Sequence, residues 1–311
     1  MKCRKAPLFC ATWKRAVRKQ CRMTVLLKKW LNCLVTTHWK IKKCGKNNMK
    51  QIYGIVGHPV EHSFSPCMHN AALEAEGLDA EYQLFDIAPD NPEDLENFFY
   101  ESELNGVYGF SVTMPYKQTI MDHLDYFDPL AKAIGSVNTV NIEQEEGKGP
   151  LFLGYNTDAT GAVAALNEKT RLPSQRVLVL GAGGAARAIV YSLKEYGADV
   201  HLFNRTMARA QELADEFDVN TIEYRLIKKE ANFDVIINCT PVGMEPNTNE
   251  SLIHADQIQK GAVVMDIITT PMETQLLKEA KKAGAETITG ERMLLHQAAG
   301  QFEIWFGKTA P

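Results

Sequence analysis

The sequence predicts an α/β fold in two domains, and three observations support that prediction. From residue 51 onward, short apolar segments typical of strands alternate with longer segments of helical periodicity. The alternation restarts after a short Leu-Pro-Ser-Gln linker at residues 172–175. The chain has 311 residues, of which 45% are hydrophobic, and this is enough for two cores. Such alternation is typical of mostly parallel sheets.

In the first domain, glycine and small polar residues mark where the predicted elements end. Gly77 ends the first helix, and Thr157 or Asp158 can cap a later helix that runs to about residue 167. A polar, glycine-bearing turn at 145–149 joins the last two strands into a hairpin. The predicted strands are 52–56, 82–85, 107–112, 137–143 and 151–154, and the earlier helices are 66–76 and 92–100.

The second domain repeats the pattern with more apolar strands. Residues 177–180 are wholly apolar, as expected of a strand in a sheet that is covered on both faces. A long apolar helix at 291–306 has no strand after it and could pack back on the first domain. The other predicted strands are 200–203, 235–238 and 263–267, and the other helices are 185–196, 208–217 and 274–283.

The charge is divided unevenly along the chain. Residues 1–48 contain 14 of the 34 Lys and Arg and no acid, whereas residues 49–311 contain the other 20 and all 38 acids, a net charge of −18. An acidic body argues against nucleic-acid binding. Three hypotheses for residues 1–48 stay open. We favour non-native sequence before a start at Met49, because a predicted strand follows Met49 at once. The alternatives are a disordered basic arm and a targeting segment.

The cysteines and the hydropathy pattern indicate the cellular compartment in which the protein is expected. Five of the seven cysteines lie in residues 1–48 without a Cys-x-x-Cys pair, which disfavours a zinc site. The body keeps only Cys67 and Cys239, which suits a reducing compartment. No run of about 18 apolar residues is present. We therefore expect a cytoplasmic protein with no membrane or nucleic-acid partner and no metal site.

A glycine-rich turn follows the first strand of the second domain and opens a helix. Gly181 permits a tight turn, Gly183 lets the backbone approach a pyrophosphate, and the small residue at 186 lets helix and strand pack closely. The helix N-terminus favours phosphate charge. This Gly-x-Gly-x-x-Ala motif predicts a Rossmann-type, doubly wound domain that binds a dinucleotide. The binding residues expected from it are Gly181, Ala182, Gly183, Gly184 and Ala185.

The end of the next strand selects between NAD and NADP. A carboxylate there suits the 2′-hydroxyl of NAD, and a cation suits the 2′-phosphate of NADP. Asn204, Arg205 and Thr206 follow the strand, Arg209 lies just beyond, and no acid is present. Arg205 can bind the phosphate with two donors or stack on the adenine. We therefore predict NADP as the cofactor.

Small polar residues lie at the strand ends of the first domain. Ser63 and Ser65 flank a strand-to-helix turn, where two hydroxyls near a helix N-terminus could hold a carboxylate. Taken singly, each such residue also has a structural interpretation. A serine there can be a helix cap, Asn138 a turn residue, Asp158 an N-cap and Lys117 a solvated surface lysine.

Taken together, the motifs resemble the shikimate dehydrogenase family in order and spacing over about residues 50–308. They are Ser-x-Ser at 63–65, Val-Thr-x-Pro-x-Lys at 112–117, Ile-Gly-x-Val-Asn-Thr at 134–139, Gly-x-Asn-Thr-Asp at 154–158, Gly-Ala-Gly-Gly-Ala-Ala-Arg at 181–187, Asn-Arg-Thr at 204–206, Asn-x-Thr-Pro-x-Gly-Met at 238–244 and Gly-x-x-Met-Leu-x-x-Gln-Ala at 290–298. The resemblance implies a substrate-binding domain of residues 49–156 plus 291–311, closed by the last helix, and an NADP-binding domain of residues 157–290.

The resemblance also implies an activity: reversible, NADPH-dependent reduction of 3-dehydroshikimate to shikimate, a step of chorismate and aromatic amino acid biosynthesis. Lys117 and Asp158 match the catalytic pair of the family. Ketone reduction places negative charge on oxygen, which an ammonium can stabilise and protonate. Ile267 and Gly290 are expected beside the nicotinamide. The residues expected to bind substrate are Ser63, Ser65, Thr113, Asn138 and Gln297.

Two departures from the family pattern leave the substrate open. Ser111 stands where these families usually have Asn, and Thr269 stands where they usually have a Tyr that reaches the substrate. A quinate or dual-specificity relative, with NAD in place of NADP, is therefore an alternative, as is a binding or regulatory protein without turnover. The sequence implies a small-molecule partner and is compatible with a monomer or a homodimer.

Overall fold

The structure, a computed structural model, describes residues 50–144, 149–227 and 232–311. Within these residues the strands form two sheets of six, one after the other along the chain. The hypotheses about residues 1–48 and the tip of the predicted hairpin at 145–148 lie outside the described residues. The two-domain α/β fold class predicted from the sequence is confirmed.

The first sheet combines parallel and antiparallel pairs. Its unit comprises β1 (Gln51–Gly57), α1 (Ser65–Glu76), β2 (Ala80–Asp86), α2 (Pro92–Leu104), β3 (Val107–Val112), a 3-10 helix (Thr119–His123), β4 (Tyr126–Phe127), α3 (Pro129–Ile134), β5 (Thr139–Gln144) and β6 (Pro150–Tyr155). The strand order is β2-β1-β3-β5-β6-β4. Strand β5 runs antiparallel to both β3 and β6, and this hairpin makes the sheet mixed.

The second sheet is parallel throughout. Its unit comprises α4 (Asp158–Leu166), β7 (Arg176–Leu180), α5 (Gly184–Glu195), β8 (Asp199–Phe203), α6 (Met207–Phe217), β9 (Asn220–Thr221), α7 (Tyr224–Ile227), β10 (Val235–Asn238), a 3-10 helix (Ala255–Gln257), β11 (Val263–Asp266), α8 (Gln275–Ala283) and β12 (Glu286–Ile288). The order is β12-β11-β10-β7-β8-β9. The order reverses at β7, which places the glycine-rich turn at the switch point where dinucleotides bind in such sheets.

Strand β7 shows why its sequence is apolar at every position from 177 to 180. Val177 and Val179 pack into the core on one face of the sheet, and Leu178 and Leu180 pack into the core on the other. All four side chains are fully buried. Burying an aliphatic side chain of this size contributes about 1.5–3 kcal/mol, so this short strand anchors both layers of the unit.

The last helix, α9 (Gly290–Phe306), returns to the first sheet, as the resemblance implies. Phe302 and Trp305 pack with Tyr53 and Ile55 of β1 in one core, and the Trp305 indole donates a hydrogen bond to the Val140 carbonyl oxygen at 3.0 Å. Helix α9 also lies along α4. It therefore joins the two units, although the exact boundaries at 156/157 and 290/291 stay a prediction.

Several short elements were not predicted from the sequence. They are β4, β9, β12, α3, α7 and the two 3-10 helices. The expected linker is a tight turn in which Leu172 is buried in the core of the second unit. Across residues 50–144, 149–227 and 232–311, no helix combines the length and apolar character needed to cross a membrane.

Candidate active site between the two sheets

A lysine and an aspartate form a close pair where the two units meet. Lys117 lies in the turn after β3, and Asp158 is the first residue of α4. The Lys117 Nζ donates to the Asp158 Oδ2 at 2.5 Å. The lysine side chain is 15% exposed and the aspartate 1% exposed, so solvent reaches the pair only from the lysine side.

Asn138 holds the second oxygen of Asp158. The Asn138 Nδ2 lies 2.9 Å from the Asp158 Oδ1 and 3.2 Å from the Gln297 Oε1. Its Oδ1 accepts a hydrogen bond from the Thr157 backbone at 2.7 Å. Both carboxylate oxygens are therefore engaged, which fixes the plane of the carboxylate. One hydrogen-bonded cluster therefore contains four of the residues predicted to act on the substrate: Lys117, Asn138, Asp158 and Gln297.

Asn156 explains why Asp158 is free for this cluster. The sequence predicts Thr157 or Asp158 as the cap of α4. Thr157 is the N-cap residue, but neither side chain makes a capping hydrogen bond. Instead the Asn156 Oδ1 accepts from the Ala159 backbone at 3.2 Å. The Asn156 side chain thus satisfies a free backbone N–H at the start of α4, and the Asp158 carboxylate is left to pair with Lys117.

Beneath the cluster lies a buried polar network that sequence reasoning missed. The Tyr82 hydroxyl donates to the Ser111 Oγ at 2.6 Å, Ser111 donates to the Gln301 Oε1 at 3.0 Å, and the Gln301 Nε2 donates to the Asn138 carbonyl at 3.2 Å. His69 lies 3.1 Å from Gln301. Burial lowers the pKa of His69 to about 4, so its ring is neutral near pH 7. Gln301 could have been found as the residue one helical turn after Gln297.

Two of the three hydroxyl residues predicted for the substrate, Ser63 and Ser65, form the rim of this network. Ser63 Oγ accepts a hydrogen bond from the Ser65 backbone at 3.3 Å, and Ser65 is itself buried. The Tyr82 hydroxyl, which donates to Ser111, also has a hydrogen-bond interaction with the Ser65 side chain. Thr113 is half-buried at the end of β3. The two serines are thus connected to the central cluster through Tyr82, whereas Thr113 stays separate.

The glycine-rich turn lies directly beside Lys117. Gly181 has a φ of +111°, which favours glycine, and Gly183 is the N-cap of α5. A β-carbon at Gly183 would meet nothing within 4 Å, whereas one at Gly184 would lie 3.0 Å from the Lys117 Cβ. The turn therefore offers open space at Gly183 and a helix N-terminus, which fits a pyrophosphate. Ala182 and Ala185 flank it, both half-buried.

The residues predicted to contact a 2′-phosphate lie at the end of β8. The Asn204 side chain donates to the Thr206 carbonyl at 2.9 Å, which shapes the turn into α6. Arg205 and Arg209 are exposed, and neither forms an ion pair with another described residue. Two such guanidinium groups can accept an anionic ligand without breaking an existing pair.

The predicted nicotinamide neighbours lie against each other: Ile267 directly follows β11, and Gly290 begins α9. A β-carbon at Gly290 would lie 2.6 Å from the Ile267 carbonyl oxygen. The buried Asp266 precedes them and accepts hydrogen bonds from Thr274 and Asn238. Burial raises its pKa to about 6, against the lowering effect of these donors.

Comparison with known proteins matches both units of the chain. Family models described as the shikimate dehydrogenase substrate binding domain, shikimate / quinate 5-dehydrogenase and the shikimate 5'-dehydrogenase C-terminal domain match residues 55–140, 163–281 and 290–311. The NADP(+) shikimate dehydrogenase of Methanobrevibacter smithii is 41% identical over 276 residues, covering 85% of this chain and 94% of the relative.

Solved structures give the same result. Shikimate 5-dehydrogenase from Thermus thermophilus, in complex with NADP(H) and shikimate, matches with a TM-score of 0.76 and 36% identity, over 84% of this chain and 95% of that one. Quinate dehydrogenase from Corynebacterium glutamicum, in complex with NAD, matches with a TM-score of 0.76 and 30% identity, again over 84% and 95%. The chain belongs to the shikimate dehydrogenase family.

Proposed function

We propose that the protein catalyses the reversible, NADPH-dependent reduction of 3-dehydroshikimate to shikimate in aromatic amino acid biosynthesis. The observation that carries the proposal is the pair of half-buried Lys117 and buried Asp158 beside the glycine-rich turn. An ammonium held by a carboxylate next to a dinucleotide site is the arrangement that ketone reduction needs. The relative from Methanobrevibacter smithii is named as an NADP(+) shikimate dehydrogenase.

The chain's own residues would move the proton. The cofactor supplies the hydride when it is bound. As the hydride reaches the carbonyl carbon, the Lys117 ammonium donates a proton to the carbonyl oxygen, and the lysine regains a proton from solvent on its exposed side. Asp158 orients the amine, and Asn138 keeps the carboxylate in place. In the direction of oxidation, Lys117 loses a proton to solvent and then accepts the alcohol proton as a neutral amine.

The polar rim would recognise the rest of the substrate. Ser63 and Ser65 bind the substrate carboxylate at the start of α1, where hydroxyls and the positive end of a helix favour an anion. Thr113, Asn138 and Gln297 bind hydroxyls or the carboxylate. These residues come from the first sheet and from α9, which supports a substrate-binding unit of residues 49–156 plus 291–311 and an NADP-binding unit of residues 157–290.

A second candidate is a quinate dehydrogenase, or a dual-specificity enzyme that also uses NAD. It is favoured by Thr269, which is half-buried after β11 where family members usually present a tyrosine to the substrate. The threonine side chain is shorter than that of tyrosine, so it leaves more room near the substrate, and its hydroxyl does not extend as far as the tyrosine hydroxyl would. The exposed Arg205 and Arg209 argue for NADP in either case.

Initial rates measured at the nicotinamide absorbance band test the proposal, with shikimate and quinate each paired with NADP⁺ and NAD⁺. We expect the highest kcat/KM with shikimate and NADP⁺, and a preference for NADP⁺ that Arg205→Ala reduces. A preference for quinate or for NAD⁺ would establish the second candidate. Absence of turnover with all four pairs would contradict both and favour a binding protein.

A further inference from the structure

Ser136 carries a buried hydroxyl with no hydrogen-bond partner among the described residues. Its side chain is completely buried, and its Oγ is one of two such orphaned side-chain atoms in those residues. A buried polar group without a partner loses its hydration and gains nothing in return. An alanine at this position would avoid that cost, so the hydroxyl calls for a role in another state of the protein.

The backbone around Ser136 is fixed at the junction of the two units. The Asn156 Nδ2 donates to the Ser136 carbonyl at 2.8 Å, and the Arg187 Nε donates to the Ile134 carbonyl at 2.9 Å. Arg187 belongs to α5, and Ile134 ends α3. These bonds come from both sides of the junction, so Ser136 is held firmly where the first unit meets the start of α5.

The Ser136 hydroxyl faces the glycine-rich turn. A β-carbon at Gly184 would lie 3.4 Å from the Ser136 Oγ and 3.0 Å from the Lys117 Cβ. Gly184 is the first residue of α5, a helix of 12 residues whose first backbone N–H groups have no partner within the helix. The orphaned hydroxyl and the unpaired helix end therefore point to the same ligand, an anion.

We propose that Ser136 is a further cofactor-binding residue, whose hydroxyl donates a hydrogen bond to a pyrophosphate oxygen of the dinucleotide at the N-terminus of α5. This inference rests on the proposed use of NADPH. Because Ser136 belongs to the first unit and α5 to the second, the hydrogen bond ties cofactor binding to the approach of the two units.

Two buried serines allow a matched test of this proposal. Ser136→Ala removes the orphaned hydroxyl, and Ser136→Cys keeps its shape with a weaker donor. Ser192→Ala is the control, since Ser192 is also buried, lies in α5, and donates to the Ala188 carbonyl at 2.8 Å. The measurements are the melting temperature of the cofactor-free protein and the Kd of NADPH from fluorescence titration without substrate.

We expect Ser136→Ala to raise the melting temperature of the cofactor-free protein by about 2–4 °C, because the unsatisfied group is gone. The Kd of NADPH should increase about 5–10-fold, because one charge-assisted hydrogen bond is lost. Ser136→Cys should weaken NADPH binding as well. Ser192→Ala should lower the melting temperature and leave the Kd unchanged.

Two results would overturn the proposal for Ser136 alone. One is an unchanged Kd in Ser136→Ala while the wild-type protein binds NADPH. The other is a fall in the melting temperature of Ser136→Ala, which would mean that the hydroxyl has a partner in the cofactor-free protein. A wild-type protein that binds no NADPH would overturn the proposed function and this inference together.

Discussion

Lys117 contacts a buried carboxylate on one side and solvent on the other. The Asp158 Oδ2 accepts from its Nζ at 2.5 Å, and Asn138 engages the opposite carboxylate oxygen. The ammonium group is oriented before any substrate binds, so no free energy of reorganisation is needed to position it during the proposed reaction. In the proposed mechanism, the partial exposure of the lysine would let it exchange its proton with water between turnovers.

We expect Lys117→Ala to lower kcat by about 10²–10⁴-fold, because it removes the group that protonates the carbonyl oxygen. The KM for the substrate should change only a few-fold, since the polar rim remains. Steady-state kinetics at saturating cofactor measure both values. Lys132→Ala, which removes an exposed lysine of α3, is the matched control. A near-normal kcat in Lys117→Ala would exclude the assigned role.

The sequence identified the members of this cluster but could not predict how they meet. Asn138 and Gln297 are separated by 159 positions, and no local pattern connects them. Their association was expected only from the family resemblance. The contact of Gln301 with the Asn138 carbonyl was missed because it joins positions 163 apart and depends on tertiary packing. The capping role of Asn156 is local, but it was missed because Thr157 and Asp158 beside it are also residue types that favour capping.

Two elements begin at glycines that are needed for different reasons. Helix α5 begins after Gly183, where a side chain would extend into open space. Helix α9 begins at Gly290, where a β-carbon would lie 2.6 Å from the Ile267 carbonyl oxygen and closer still to that of Ile268. The first glycine leaves room for a ligand, and the second leaves room for the protein's own backbone.

A pair of alanine substitutions separates these two reasons. Gly290→Ala should lower the free energy of unfolding by about 1–3 kcal/mol, because α9 must shift away from the Ile267–Ile268 backbone. Gly183→Ala should leave that free energy within about 0.5 kcal/mol of the wild type. It should nevertheless weaken NADPH binding, because the methyl group occupies the approach to the helix end. Urea denaturation and NADPH titration are the measurements, and strong destabilisation by Gly183→Ala would contradict this interpretation.

The predictability of the elements follows their length and burial. Strands β7, β10 and β11 were predicted because sheets covered on both faces require continuous apolar runs. Strands β4 and β9 have two residues each, too few to show any periodicity. Their positions depend on pairing with β6 and β8, which a local pattern does not contain.

At the scale of the whole molecule, an ionic cluster fastens α9 to the end of α4. Glu168 pairs with Arg292 and with His296, which lies 2.7 Å away. Burial alone would raise the pKa of Glu168, but the hydrogen bonds and charges of these two partners lower it to about 2. A carboxylate with a lowered pKa stabilises the folded state above its unfolded pKa, and this contribution is lost as the pH falls through the folded value.

Glu168→Gln should therefore reduce the free energy of unfolding at pH 7 by about 1–2 kcal/mol. The difference from the wild type should shrink as the pH falls from about 4.5 toward 2, the interval between the unfolded and folded pKa values. Urea denaturation over this pH range measures the change. Glu286→Gln, at the exposed Lys169–Glu286 pair, is the control and should have a smaller effect. A difference independent of pH would show that the cluster does not act through ionisation of Glu168.

The return of α9 to the first sheet has a consequence for synthesis on the ribosome. Tyr53 and Ile55 are made early, yet they share a core with Phe302 and Trp305, which emerge after every strand of both sheets. The parallel sheet can form most of its own core first, because its strands lie between these two segments, although Met293 of α9 also belongs to that core. We therefore expect part of the apolar face of the first sheet to stay uncovered until α9 is made, and exposed apolar surface of this kind favours aggregation during folding.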